Sequence, residues 1–367
     1  MHRLVLLLTL AASAAAQPTR LSGTVHDAEG EPLPGANVYL SGTTRGDATD
    51  AEGRFEIADL EPGAYRVVAS MVGFVAATAP VSLAAGDDVR LALQLEPRAL
   101  AEATVEAERD ARWERRLERF TREILGTSAR ADSARLLNPW VLDFRSRWGT
   151  LTATASAPLL IENRALGYRL RYDLHAFSAS DGRVSYDGDE QFTPLAPDSP
   201  ETAARWAAER EAAYRGSLPH LLRSLLRGTA DAEGYTFVHV FEDSWGGRGS
   251  GTRFPVRADG LVRTDSAGWG SLRVRGQLEV AFPEAEDPAY LQHPWFRERR
   301  SRSASVQRSA LHLTGFARFD PRGVPEDPFA ISTSGYLGFE RLADALPAEY
   351  EPPAPSPDDS QAPPAGG

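Results

Sequence analysis

Residues 21–74 read LSGTVHDAEGEPLPGANVYLSGTTRGDATDAEGRFEIADLEPGAYRVVASMVGF. Strand-like runs (LSGTVHD, ANVYLSG, RFEIADL, GAYRVVASMVGF) are separated by polar, glycine- and proline-rich clusters (AEGEPLPG, TTRGDATDAEG, Pro62-Gly63). Gly30 and Gly53 each follow an acidic residue at a turn, where a positive φ costs little only for glycine. Beyond this stretch, DVRLALQL sets Val89, Leu91, Leu93 and Leu95 against Arg90, Ala92 and Gln94, the alternation of a half-buried strand. About seven strands and no helix between Leu21 and Glu96 predict a small β-sandwich.

The blocks GTVHD, GEPLPGANV, TDAEGRF and LEPGAY together resemble the carboxypeptidase regulatory-like domain. The resemblance implies a seven-stranded Greek-key, transthyretin-like β-sandwich over residues 17–96, with no catalysis of its own. Such domains accompany metallocarboxypeptidases and front many exported bacterial proteins, outer-membrane receptors among them. The later blocks FTREILGTSARADSARLLNPWVLDF, PLLIENRALGYRLRYDLHAF, AAYRGSLPHLLRSLL and GYLGFERLADALPAEYEP are similar to an uncharacterised region that follows this domain in exported Bacteroidota-type proteins.

Composition narrows the classes further. The 367 residues are 42% hydrophobic and 25% charged, with a net charge of −11. That acidity argues against a nucleic-acid partner, which needs a basic footprint. There is no cysteine, which excludes disulfides, thiolate metal sites and cysteine nucleophiles. Every basic residue is arginine, which excludes Schiff-base and Ser-Lys chemistry. MHRLVLLLTLAASAAA, residues 1–16, has the basic start, apolar run and small-residue end of a signal peptide. The chain is therefore expected to be exported, periplasmic or outer-membrane associated, with secretion as the alternative. No transmembrane segment is expected in the mature chain.

Residues 97–112 read as a charged linker and 113–352 as a larger β-rich α+β region with antiparallel sheet and a few helices. Residues 353–367, rich in proline, read as a disordered tail. WERRLERFTREILG places Trp113, Leu117, Phe120 and Ile124 on one helical face, with Gly126 as the stop. In LGYRLRYDLHAF, Tyr168, Leu170, Tyr172, Leu174 and Ala176 alternate with Arg169, Arg171, Asp173 and His175, predicting one apolar and one ionic face. Ser199 and Ser217 are placed to cap two helices.

Catalytic patterns are sparse. His26 and Glu29 have the short spacing of a zinc pair, but they run into a turn of the sandwich. His175, His220, His239, His293 and His312 are scattered, and there is no Gly-x-Ser-x-Gly elbow. FRERRSRS, residues 296–303, is a local basic run. The densest polar group is RWAAEREAAYRGSLPHLLRSLLRG. Arg210, Tyr214, Ser217, His220 and Arg223 converge if two helices meet at Gly216, forming a candidate patch for an anion, a carboxylate or a protein partner. No metal and no cofactor are expected. The expected role is an exported cell-envelope accessory or binding protein with an outer-membrane or envelope partner. The alternative is a peptide or glycan hydrolase with its site in the C-terminal region.

Overall fold

Two stacked sheets form the N-terminal part in a computed structural model that describes residues 19–98, 111–180, 183–242, 251–274, 276–292, 305–313 and 315–353. The expected signal peptide, residues 99–110 of the linker, all but the first residue of the tail, the basic run at 296–303 and His293 lie outside the described residues.

The strands of this part are β1 (Arg20–His26), β2 (Asn37–Leu40), β3 (Gly46–Ala48), β4 (Arg54–Ile57), β5 (Gly63–Ser70), β6 (Phe74–Val75), β7 (Ala77–Leu83), β8 (Asp88–Gln94) and β9 (Glu96–Pro97). One sheet has the order β4-β1-β8, with β1 antiparallel to β4 and parallel to β8. The other, β3-β2-β5-β7, is antiparallel throughout. Leu21, Val25, Phe55, Ile57 and Leu93 from the first sheet meet Val38, Leu40, Tyr65 and Val67 from the second. Gly30 and Gly53 take φ of 86° and 72° at their turns. At Gly53 a Cβ would also stand 2.6 Å from the Val25 carbonyl.

One departure from simple alternation positions everything that follows. In β2, Val38, Tyr39 and Leu40 are all buried, and in β5 so are Val67, Val68, Ala69 and Ser70. A strand buried at consecutive positions is covered on both faces. The outer face of the second sheet is therefore packed against the rest of the molecule.

The middle of the chain opens with helix α1 (Ala111–Leu125), followed by β10 (Ala134–Leu136), β11 (Leu142–Arg147), β12 (Thr150–Ala155), β13 (Leu159–Asn163), β14 (Tyr168–Ser180) and β15 (Arg183–Pro194). These strands make one six-stranded sheet of order β10-β13-β14-β12-β11, with β15 paired to β14. Helix α1 lies across it. Phe120 and Ile124 are buried, Trp113 and Leu117 pack at the margin, and Phe120 meets Phe177 edge-on with ring centroids 4.7 Å apart. Gly126 ends the helix at φ 91°.

The alternation expected along β14 holds through Tyr168, Leu170 and Tyr172, then changes phase. A β-bulge lies between Leu174 and Ala176, so Ala176 is exposed while Phe177 and Ala179 are buried. The extra residue bends the strand. Its first half pairs with β13 and its second with β12. His175 is the residue left out of the ladder.

Helices α2 (Pro200–Tyr214) and α3 (Leu218–Arg227) follow, capped by Ser199 and Ser217, whose side chains accept from the Thr202 and His220 amides. The remaining strands are β16 (Thr236–Glu242), β17 (Gly251–Val256), β18 (Val262–Thr264), β19 (Gly270–Leu272), β20 (Gly276–Phe282), β21 (Gln307–Leu313), β22 (Ala317–Phe319) and β23 (Ile331–Gly335). They form an antiparallel sheet β17-β16-β20-β21-β23 and a smaller one, β18-β19-β22. Leu221, Leu222 and Leu225 of α3 pack onto Phe237, Leu278, Val280 and Leu311. The described residues thus form three hydrophobic cores. Residues 342–350 run between them: the Leu342 amide donates to the Ile124 carbonyl, Asn163 Nδ2 donates to the Ala343 carbonyl, and the Ala348 amide donates to the Gly42 carbonyl.

Candidate functional site

The α2–α3 corner turns on Gly216, whose φ of 79° lets the chain reverse between the two helices. The structure brings Tyr214, His220 and Arg223 together there. Tyr214 and His220 have ring centroids 4.9 Å apart, and the Arg223 guanidinium carbon lies 5.3 Å from the Tyr214 ring centroid. Ser217 serves as the cap of α3. Arg210 faces elsewhere: its Nε donates to the Leu166 carbonyl at 2.7 Å, and its guanidinium covers the Tyr168 ring.

The cluster is internally satisfied. Arg223 is buried, and its Nε donates to the Arg322 carbonyl while its two terminal nitrogens donate to the Tyr350 and Ala348 carbonyls. His220 Nδ1 accepts from the Gly216 amide at 2.9 Å and faces the Tyr235 hydroxyl at 2.8 Å. Its Nε2 stands 2.9 Å from Glu233, which also accepts from Ser224 and Thr229. This fits a neutral imidazole carrying its proton on Nε2. Burial lowers the His220 pKa from the ordinary imidazole value, against the pull of Glu233. Burial also raises Tyr235, with Glu233 adding to the effect. For Glu233 burial pulls upward, but the hydrogen bonds from Ser224, Thr229 and His220 leave it below the usual carboxylate range.

Tyr235–His220–Glu233 has the order hydroxyl, imidazole, carboxylate, but the hydroxyl belongs to a buried tyrosine held in its protonated form. What the arrangement does is hold α3 to the following strand and, through Arg223, to residues 348–350. Glu233 and Tyr235 were not among the residues selected by spacing. They sit in the loop after α3, where no periodicity marks them.

A second polar constellation lies between the sandwich and the six-stranded sheet. The Tyr39 hydroxyl donates to Asp173 at 2.7 Å. Arg171 donates to the Ser70 hydroxyl at 2.7 Å and lies 3.3 Å from Asp173. The fully buried Asp189 faces the Arg66 guanidinium at 2.5 Å and the His175 imidazole at 3.3 Å. The bulge in β14 is what aims His175 there. Asn37 Nδ2 donates to Gln191, the Gly42 amide donates to the Glu190 carbonyl, and the Phe192 amide donates to the Thr43 carbonyl. Burial raises the Glu190 carboxyl to about 7, with Asp189 adding to the effect and Arg66 opposing it. Burial, then Asp173, raises the Tyr39 hydroxyl.

Two further joints complete the contact. The Ala64 amide donates to Asp320, and Arg322 donates back to the Ala64 carbonyl at 2.8 Å. Gly63 is required at this joint, because a Cβ would stand 2.6 Å from both Asp320 Oδ2 and Arg322 Nη2. The Thr44 amide and hydroxyl both donate to Glu349. Among the described residues no group of three or more His, Asp or Glu could hold a metal ion. His26 ends β1 with its Nε2 on Thr24. No described helix is long and apolar enough to cross a membrane.

The family model for the carboxypeptidase regulatory-like domain matches residues 20–96. Residues 20–96 are a carboxypeptidase regulatory-like domain. The match covers the two stacked sheets and ends before α1. TonB-dependent receptor P39 of Formosa agariphila is 32% identical over 78 residues, which are 21% of this chain and 7% of the receptor. The chain therefore spans only a small part of that relative. Among solved structures, a chain of a type II cohesin–X-dockerin complex from Acetivibrio cellulolyticus is 26% identical, with 30% of this chain and 76% of that one covered and a TM-score of 0.21. The minor pilin GBS52 of Streptococcus agalactiae is 16% identical, covering 24% of this chain and 49% of the pilin at a TM-score of 0.21.

Proposed function

We propose that the protein is an exported cell-envelope accessory protein, in which the regulatory-like domain is a non-catalytic scaffold and docking module for an envelope partner. The observation that carries this reading is the burial of both faces of β2 and β5. The domain is built into the body through Tyr39, Arg66 and Ala64, which supports a scaffold role over that of a loosely tethered appendage. The opposite sheet, β4-β1-β8, and the loop at Val72, which is 98% exposed, face outward and are the surfaces offered to a partner. The local similarity to a TonB-dependent receptor supports an envelope setting. The α2–α3 corner, with its polar groups paired internally, supports a structural role for Tyr214, Ser217, His220 and Arg223.

Chemical crosslinking of the full chain in native cell envelopes, read by mass spectrometry, tests the proposal. The expected result is one dominant outer-membrane protein, crosslinked to β4-β1-β8 or to the Val72 loop. A hydrolytic turnover of the purified protein that a single polar substitution abolishes would overturn it.

A further inference from the structure

Helix α1 carries Arg112, Arg115, Arg116 and Arg119, which the 3.6-residue repeat places on one side. With Ser146 and Leu151 they line a shallow groove beside the β11–β12 hairpin. Arg119 donates to the Gly149 and Ala179 carbonyls at 3.1 and 3.0 Å, pinning the helix to that end of the sheet. Among the described residues, Arg115 and Arg116 have no carboxylate within ion-pair distance, the nearest acidic residues of the helix, Glu114 and Glu118, lining a different groove. Like charges at these spacings weaken a helix, so helix stability does not account for the ridge. It also reverses the sign of a chain whose net charge is −11.

A second, independent oddity sits at the same place. Arg147 pairs with Thr150, so Trp148 and Gly149 form a two-residue turn, with φ of 52° and 80°. The first position of such a turn ordinarily takes Asn, Asp or Gly, and a bulky residue with positive φ is an outlier. Here it holds a tryptophan that is 91% exposed. Arg145 and Arg147 are exposed on the hairpin, and Arg183 opens β15 at the same end of the sheet. An indole thus stands at the tip of a hairpin whose strand carries exposed Arg145 and Arg147 and whose turn carbonyl at Gly149 holds Arg119.

We propose that this end of the molecule is a contact site for a membrane surface bearing anionic phosphate headgroups. Trp148 enters the headgroup layer, and Arg115, Arg116 and Arg147 engage the phosphates. Tryptophan favours that layer, and guanidinium groups match phosphate oxygens in geometry as well as charge. The single exposed indole at the hairpin turn favours a bilayer over a soluble polyanionic glycan, because a polysaccharide needs aromatic platforms in a row. Because the whole chain is acidic, a basic tip would also orient it at an anionic surface. The inference does not depend on the protein partner proposed above, and the two fail in different experiments.

The test is flotation of the purified full chain with phosphatidylcholine vesicles and with mixed phosphatidylcholine–phosphatidylglycerol vesicles. Binding is expected to the mixed vesicles only and to weaken with salt. The double variant Arg115→Gln/Arg116→Gln should bind about 25-fold more weakly, at about five-fold per arginine. Trp148→Asn suits the turn and should remain folded by circular dichroism, yet lose both vesicle binding and the blue shift in tryptophan emission. Equal binding to both vesicle types, or unchanged binding in either variant, overturns the proposal. So does binding to a soluble sulfated glycan without binding to vesicles, which would assign the groove to polysaccharide.

Discussion

Replacing Arg66 by Met tests whether the sandwich is fastened to the six-stranded sheet by charge. The substitution keeps most of the aliphatic stem and removes the guanidinium. Asp189, which has no solvent exposure, is then left facing the His175 imidazole at 3.3 Å. Removing one member of a fully buried pair costs about 3–5 kcal/mol, and a surface pair contributes about 0–1 kcal/mol. The Arg66 side chain is 33% exposed and His175 stays in place, so the expected loss is between these limits, about 2–3 kcal/mol. Most of that loss is the stranded carboxylate, so Arg66→Met/Asp189→Asn should recover all but about 1 kcal/mol. A molecule with three cores need not unfold in one step. Hydrogen exchange of amides in β5 and β15 therefore reads the effect where it arises, as a fall in local opening free energy. A loss below about 0.5 kcal/mol, or a double variant no more stable than Arg66→Met, would refute the reasoning.

Glu190 has a folded pKa of about 7 and Glu340 one of about 8, both raised chiefly by burial above an ordinary value of 4.5. The folded state thus holds protons the unfolded state has lost, so stability should fall as pH rises from about 4.5 through 7–8; Glu190→Gln should flatten that slope in urea denaturation series. His220, lowered by burial, gives the opposite limb: its contribution is present above the unfolded value near 6.5 and is lost as pH falls below it, and His220→Gln should remove that limb. Arg223→Met removes the donors to Ala348 and Tyr350, and should speed limited proteolysis after residue 340 at least ten-fold, corresponding to about 1.4 kcal/mol of local opening. Trp148→Asn should stabilise the fold by about 1 kcal/mol in thermal denaturation, because Asn tolerates the left-handed conformation that tryptophan resists.

The sandwich was legible because its strands alternate and its turns carry glycines such as Gly30 and Gly53. ANVYLSG and GAYRVVASMVGF read simply as strands, and nothing local marks Val38–Leu40 and Val67–Ala69 as covered on both faces. The cover is β14 and β15, more than a hundred residues away. Along β14 the expected alternation holds as far as Tyr172. The bulge at His175 has no signature in residue type, since it arises where one strand must pair with β13 and then β12. At the α2–α3 corner, helical spacing and caps located Tyr214, Ser217, His220 and Arg223. Arg210 turns away because the Tyr168 face and Leu166 carbonyl beside α2 take its side chain. The partners that close the corner, Glu233, Tyr235, Arg322 and Tyr350, lie in loops, where side-chain direction is a tertiary outcome.

Residues 342–350 touch Ile124, Asn163, Gly42 and Arg223, and the bond from Thr44 to Glu349 spans 305 positions. These residues are made after every segment they bind. During synthesis the sandwich can fold early from pairings confined to residues 20–97, and Tyr39 and Arg66 can then join it to β14 and β15, but the bonds that tie Ile124, Asn163, Gly42 and Arg223 to one segment have to wait for residues 342–350. Until then, the part of the core between α1 and the six-stranded sheet that Leu342 and Ala343 will fill is open to chaperones and proteases. The last stretch of the fold acts as a completion signal: a chain stalled or cut before it would display an unlocked body behind an intact first domain.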